Sequence, residues 1–197
     1  MSRPKQPRLV GGALCLDFVN SVDPREGAEP QDYLGDYGEL LSWALHAGAV
    51  RPEEAKRLRR RADARVWHRT IAFREGLYPL LRTVAEGGHP DPRQLAALEP
   101  ELAGALARPA LTVGPDGSVR ESLPEDPALP LWRVALSARD LLLALPDSRL
   151  RVCAGDHCGW LFLDASRAGR RRWCSMAGCG NRAKARRHYA RHRAATR

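Results

Sequence analysis

Residues 153–193 read CAGDHC (153–158), GWLFLDASRAGRRRW (159–173), CSMAGC (174–179) and GNRAKARRHYARHR (180–193). Four of the chain's five cysteines lie here, in the pattern C-x4-C-x15-C-x4-C. Two close cysteine pairs set about 15–20 residues apart are the sequence form of a structural zinc site. Zinc takes four thiolates in a tetrahedron, and a hairpin between the pairs brings them together. Cys153, Cys158, Cys174 and Cys179 are therefore the expected ligands of one structural Zn2+. Residues 160–163 and 170–173 are the expected hairpin strands, with residues 164–169 as the turn. Four cysteines close the coordination sphere, so neither water nor substrate has a place on the metal and zinc catalysis is not expected.

A second ligand set has to be weighed, because His188 and His192 lie four apart. With Cys174 and Cys179 they give a pattern like a two-Cys two-His finger, but with a middle gap of 8 residues where about 12 is usual. That set also leaves Cys153 and Cys158 unused. His157 would crowd the first loop as a ligand and is expected to be exposed.

Charge divides the chain at the same place. Residues 149–197 hold 13 Arg or Lys against 2 Asp or Glu, whereas residues 1–148 hold 19 against 21. The net charge of +9 thus belongs to the C-terminal segment, and the argument for a polyanionic partner applies only there. Of the 32 basic residues 29 are Arg, which with abundant Ala, Gly and Pro reflects a GC-rich genome rather than a choice of Arg over Lys. No stretch has the 18 or so apolar residues of a membrane span. The N-terminal apolar run is broken by Asp17 with no cleavage site after it, so it is not a secretory signal. A cytoplasmic protein is expected, in a reducing compartment where clustered cysteines bind metal rather than form disulfides. Cys15, alone between Leu14 and Leu16, reads as a buried inert thiol.

After the last cysteine a helix is expected, with Cys179, Ala183 and Ala190 in one narrow sector facing the hairpin. Asn181, Arg182, Lys184, Arg186, Arg187 and Arg191 fall on the remaining circumference and are the candidate nucleic-acid contacts. The bland alternative is a solvated charged helix. In the functional alternative each cation that meets a phosphate releases counterions. Asn and Arg can also read A and G edges in a major groove, which makes Asn181 and Arg182 candidates for base readout. Equally, Asn181 could cap the helix and Arg182 bind a phosphate or an acid of the N-terminal part. Arg170, Arg171 and Arg172 could add phosphate contacts, and Tyr189 could stack or pack.

The first 148 residues read as mainly helical with one small β-hairpin, an α+β domain. Residues 1–11 form a loose arm, residues 14–22 a short helix, and residues 23–35 a loop. Asp36 with Glu39 is a capping-box start for a helix that stops at Gly48. Pro52 begins another to about Ala62, with Glu53 and Glu54 in its first turn. A third covers residues 66–86, with Trp67, Ile71, Arg74, Leu77, Leu81 and Val84 as its stripe. A fourth runs from Asp91-Pro92 through Ala107. ALTV and SVRES flank GPDG as a hairpin. Residues 131–145 form an apolar helix that Leu141, Leu142, Leu143 and Leu145 make the candidate for the centre of the N-terminal core. The boundary is expected at residues 146–149. Asp17, Asn20 and Asp23 sit in the apolar opening as a candidate small-molecule pocket, or as turn-fixing side chains. The run Lys56, Arg57, Arg59, Arg60, Arg61, Arg65 and Arg69 could extend a nucleic-acid surface, but reads better as a solvated helix face with Leu58 and Ala62 buried. No Ser/His/Asp constellation, Gly-rich phosphate loop or paired-carboxylate motif stands out, so an enzyme is not expected.

Cys179-Gly180-Asn181-Arg182 spells CGNR, and residues 153–193 resemble the CGNR zinc finger with all four cysteines in place. GGALCLDFVNSVD and YLGDYGELLSWA are similar to the ABATE domain that precedes this finger in bacterial proteins described as stress-induced transcription regulators. The resemblance implies a zinc-stabilised ββα-like module at residues 149–197 that binds DNA, after an ABATE-like regulatory domain at residues 1–148. That domain would sense a small-molecule effector or mediate homodimerisation. An RNA-binding module and a protein-interaction adaptor are the alternatives.

Overall fold

A computed structural model of the chain describes residues 6–107, 110–144 and 149–195. Eight α-helices and three two-stranded antiparallel sheets are found among them. The first helix, α1 (Leu14–Val19), is the hub: Cys15, Leu16, Phe18 and Val19 are all fully buried. Phe18 meets Trp43 with ring centroids 5.4 Å apart and Phe73 at 6.4 Å. Burial pushes the Cys15 thiol up to about 11, which makes it unreactive.

A short bridge follows, pairing β1 (Val22–Asp23) with β2 (Gln31–Asp32), inside the segment expected to be all loop. Helix α2 (Tyr37–His46) starts as its capping signal predicts, with Asp36 Oδ1 accepting from Glu39 N at 2.7 Å. Helix α3 (Pro52–Arg59) places Glu54 toward α7 (Leu129–Leu143), where Arg133 donates to both its carboxylate oxygens at 2.8 Å. That hydrogen-bonded pair holds the Glu54 carboxyl down at about 2, below its ordinary 4.5. Its stabilisation is therefore present above pH 4.5 and is lost as pH falls through about 2. Glu54→Gln leaves Arg133 uncompensated and is expected to cost about 3 kcal/mol at neutral pH. Urea unfolding at pH 6 and pH 3 should show that deficit shrinking on acidification.

The long helix α4 (Ala64–Ala85) buries Val66, Thr70, Phe73, Arg74, Leu77, Leu80 and Leu81, while Trp67, Ile71 and Val84 are only partly covered. Its inner face is thus rotated by about one residue from the expected stripe. Arg74 stays inside because Asp32 takes two hydrogen bonds from its guanidinium, at 2.8 and 2.5 Å, and Ser21 Oγ a third at 3.0 Å. Burial pushes the Asp32 carboxyl up, but the Arg74 hydrogen bonds and charge outweigh it and the net shift is downward.

The expected fourth helix is two, α5 (Pro92–Ala96) and α6 (Glu99–Leu106). Pro100 causes the break, having no N–H to continue the ladder from the preceding turn. The hairpin β3 (Ala110–Val113) with β4 (Val119–Ser122) forms as expected, with Gly117 at φ +75° in its turn. In α7 the core is met by Leu131, Val134, Ala135 and Ala138, spaced by threes and fours. The helix is central to the core as expected, but through its middle: Leu141 is buried while Leu143 is 77 % exposed, so the leucine cluster forms the rim. Consecutive residues point 100° apart, and only one of such a run can face inward. Leu145 and residues 146–148 of the expected boundary lie outside the described residues.

The C-terminal module corrects the expected hairpin. β6 (Leu161–Leu163) pairs antiparallel with β5 (Leu150–Val152), Leu150 opposite Leu163, rather than with residues 170–173. Cys153 and Cys158 then stand in the loop at its tip. Leu150 and Leu161 join the main core with the helices, and the register that allows this sets the pairing. Residues 170–173 are held instead by Asp164, whose carboxylate accepts from Ser166 N at 3.0 Å and Arg171 N at 2.8 Å. A π-helical turn (Met176–Gly180) leads into α8 (Asn181–Ala195), completing a ββα-like order. Nor are residues 7–11 loose: Gly11 O accepts from Leu163 N at 2.8 Å and Arg8 donates to Ser175 Oγ at 3.2 Å. The strap exists because β6 has an edge left over after pairing with β5.

Candidate metal centre and nucleic-acid interface

The two cysteine pairs, 15 residues apart in sequence, meet in space. The Cys158 and Cys174 sulfurs are 3.8 Å apart, Cys174 and Cys179 are 3.7 Å apart, and all four sulfurs lie within 4.8 Å of one another. A zinc tetrahedron with bonds of about 2.3 Å has edges of about 3.75 Å, so these separations suit a central ion. They exceed the disulfide length of about 2.05 Å by far, and all four are free thiols, buried. The donor chemistry agrees. Crowded sulfurs, Cys153 first, hold Cys179 below the ordinary thiol value and push Cys158 above it, so the set cannot ionise together without a cation. Four soft donors in this arrangement suit zinc, and Cys153, Cys158, Cys174 and Cys179 would hold it.

Groups around the sulfurs fix them in place. Cys174 N donates to Cys153 Sγ at 3.2 Å, and Arg182 Nη2 to Cys179 Sγ at 3.0 Å. A Cβ on Gly155 would stand 2.9 Å from Cys179 Sγ, so only glycine lets the first loop pass the second pair this closely. Ser175 Oγ accepts from Gly178 N at 3.3 Å and orders the turn carrying Cys179. The rival histidines are elsewhere: His188 and His192 pair with each other, Nε2 to Nε2 3.1 Å, on the exposed face of α8. His157 is exposed at φ +58°.

A family model named ABATE, "Putative stress-induced transcription regulator", matches residues 12–144. The chain belongs to the ABATE family. The CGNR zinc finger model matches residues 149–192, which takes in all four cysteines. No curated protein matches the chain.

In this ABATE protein the finger is bolted to the helical part through residues 20–26. Asn20, fully buried, donates from Nδ2 to Leu161 O at 2.8 Å and accepts from Leu161 N at 2.9 Å. Trp160 Nε1 donates to Val22 O at 2.7 Å, and Tyr78 OH to Gly159 O at 2.8 Å. Arg25 N and Glu26 N donate to Cys158 O and His157 O, each at 3.0 Å. Asp17 lies apart from these contacts: its Oδ1 accepts from Gly11 N at 2.8 Å, and burial pushes its carboxyl up. Asp17, Asn20 and Asp23 thus do not gather into one pocket. Two of them fix backbone, and Asp23 lines a cleft facing the finger.

On α8, Ala183 is buried, while every other residue from 181 to 193 is exposed, Ala190 included. The expected sector therefore holds only for its first turn. Arg186 Nε pairs with Asp156 at 2.9 Å, whereas no ion pair is formed by Lys184, Arg187 or Arg191 among the described residues. Asn181 is exposed, its amide 3.5 Å from Ala177 O. Tyr189 is 69 % exposed. No local pattern marks Arg182 as turning to a ligand sulfur, since the partner is a cysteine and not an acid. Among the described residues no helix is long and apolar enough to cross a membrane.

Proposed function

We propose that this ABATE protein is a zinc-dependent, DNA-binding transcription regulator in which α8 lies against DNA. The helical part acts on it as a sensor. The observation that carries this reading is the surface of α8: Ala183 is buried, the residues from 184 to 193 are all exposed, and Lys184, Arg187 and Arg191 stand out with no acid opposite them among the described residues. Such a helix is self-repelling in water, and a row of phosphates removes that repulsion while releasing counterions. The metal's part is structural, since four cysteines fill its sphere, and no catalytic residue is proposed. Base readout falls to Asn181, because Arg182 is directed to Cys179 Sγ. The family's description as a transcription regulator supports the reading.

The test is DNA binding by the zinc-loaded chain across a salt series. Replacing Lys184, Arg187 and Arg191 together with Ala is expected to weaken binding to all sequences and to lower the salt slope by about 3. Asn181→Ala should instead flatten site preference by about 10- to 100-fold at one base pair, with the slope unchanged. A triple variant that binds with the wild-type slope would sink the proposal. Structured RNA outcompeting duplex DNA would reassign the surface to RNA, and binding that persists in high salt would reassign it to a protein partner.

A further inference from the structure

A cavity of about 320 Å3 lies within the finger where three stretches meet: Arg172 and Trp173 ahead of the second cysteine pair, Asp156 in the first cysteine loop, and Ala183, Arg186 and Arg187 on α8. The run Arg170-Arg171-Arg172 leads into it, and its three side chains have different fates. Arg171 is spent on the fold: its guanidinium lies 4.3 Å from the Phe162 ring centroid and donates to the carbonyl of Trp173 at 3.0 Å and to those of Leu163 and Val10 at 3.3 Å. Arg170 is exposed and is not part of the cavity lining. Arg172 alone of the three lines the cavity, its guanidinium 5.2 Å from the Trp173 ring centroid, and Trp173 packs in turn on the cysteine cluster. Attraction between the cation and the indole face holds the guanidinium in place. On α8, Arg187 supplies a second guanidinium. Neither it nor Arg172 meets an acid or a hydrogen-bond acceptor among the described residues. The carboxylate in the lining, Asp156, is taken by Arg186 Nε at 2.9 Å, so three arginines against one aspartate leave the cavity a net charge of +2. Two unspent guanidinium forks from separate elements, around one concave cationic space, suit a phosphate group that can take paired hydrogen bonds from each. Arg187 also belongs to the stripe Lys184, Arg187 and Arg191, spaced by three and four along α8, so the cavity is continuous with the row of cations on the helix surface.

We propose that this cavity seats one phosphate of the DNA backbone, held between Arg172 and Arg187. The seat rests on the reading of α8 as the DNA-contacting helix and adds to it a residue from outside that helix. Phosphate contacts fix position and orientation rather than sequence. A phosphate gripped from two elements sets the register in which α8 meets the duplex.

Binding of duplex DNA to the zinc-loaded full chain is measured across a salt series. Arg172→Ala is expected to weaken it about tenfold and to lower the salt slope by about 1. Arg170→Ala removes the same charge from outside the cavity and should cost less than about threefold. Because Arg172 and Arg187 share one phosphate, the double variant Arg172→Ala with Arg187→Ala should fall short of the product of the two single losses by about threefold or more. Arg172 is exposed and off the ligand sulfurs, so its variant is expected to keep one zinc per chain and the wild-type Tm, both measured alongside. Equal losses in the Arg170 and Arg172 variants, or single losses that simply multiply in the double variant, overturn the seat. Inorganic phosphate titrated into the chain without DNA is expected to bind no tighter than sulfate. A preference for phosphate of about tenfold or more would assign the cavity to a free phosphorylated ligand instead. A chain whose DNA binding falls with Lys184, Arg187 and Arg191 but not with Arg172 overturns the seat alone, whereas a chain that ignores DNA overturns the reading of α8 and the seat with it.

Discussion

Removing zinc should lower the Tm of the whole chain rather than release a floppy finger from an intact helical domain. The metal orders the loop at the tip of β5 and β6, and those strands carry Leu150 and Leu161 into the same core as Phe18 and Leu131. The loop itself is hydrogen-bonded through Cys158 O and His157 O to Arg25 N and Glu26 N. When the thiolates lose their cation, repulsion opens the tip and those contacts go with it. Structural zinc contributes an apparent binding free energy of about 10–16 kcal/mol at neutral pH. In a chain of this size each lost kcal/mol lowers Tm by about 2–4 °C, so forfeiting even about 5 kcal/mol means a fall of about 10–20 °C. Cys174→Ser should reproduce the effect and reduce bound zinc from one per chain to a weakly held fraction. Calorimetry with metal analysis checks both. Two separate transitions, one at the original Tm, would contradict the argument.

Asn20→Ala is expected to cost about 2–4 kcal/mol while leaving one zinc per chain. Asn20 is fully buried, and its amide satisfies both the N–H and the C=O of Leu161. The alanine leaves two buried backbone groups without partners, each costing about 1–3 kcal/mol, and the site is too enclosed for bulk water to substitute freely. Asn20→Asp should be no better, because a carboxylate accepts from Leu161 N but cannot donate to Leu161 O. Denaturant unfolding of zinc-loaded protein measures the deficit. A loss below about 1 kcal/mol would mean that the seam closes by other contacts.

These two residues show what the sequence reveals and what it withholds. The zinc ligands were legible because coordination needs four thiols in two near pairs, and that requirement is written in spacing alone. Helix starts at Asp36 and Pro52 were legible for the same reason: a cap acts on the next three residues. Asn20 could be seen as a polar residue in an apolar run, but its partner lies 141 positions away and no local pattern names it. Arg74 fell in the apolar phase of α4 and was read as part of the stripe; that it is a buried cation held by Asp32 and Ser21 depends on how α4 meets β2. The strand pairing of the finger is not written locally, because residues 149–152 and 170–173 are both short basic stretches. Only the demand of Leu150 for the shared core separates them. The break at Pro100, by contrast, was present in the sequence and needed only the missing N–H to be followed through.

Helix α8 is tied to the rest of the chain near its start, where Ala183 is buried and Arg186 meets Asp156. From Asn181 to Ala195 it extends about 21 Å at about 1.5 Å per residue. A tilt of about 10° at the root therefore swings the far end through about 3.5 Å. The helix has the geometry of a lever rooted in the turn that carries Cys179. The pivot is gripped by Arg182 on the sulfur and Arg186 on Asp156. A change at the root too small to disturb the core therefore moves the outer cations much further than the root itself.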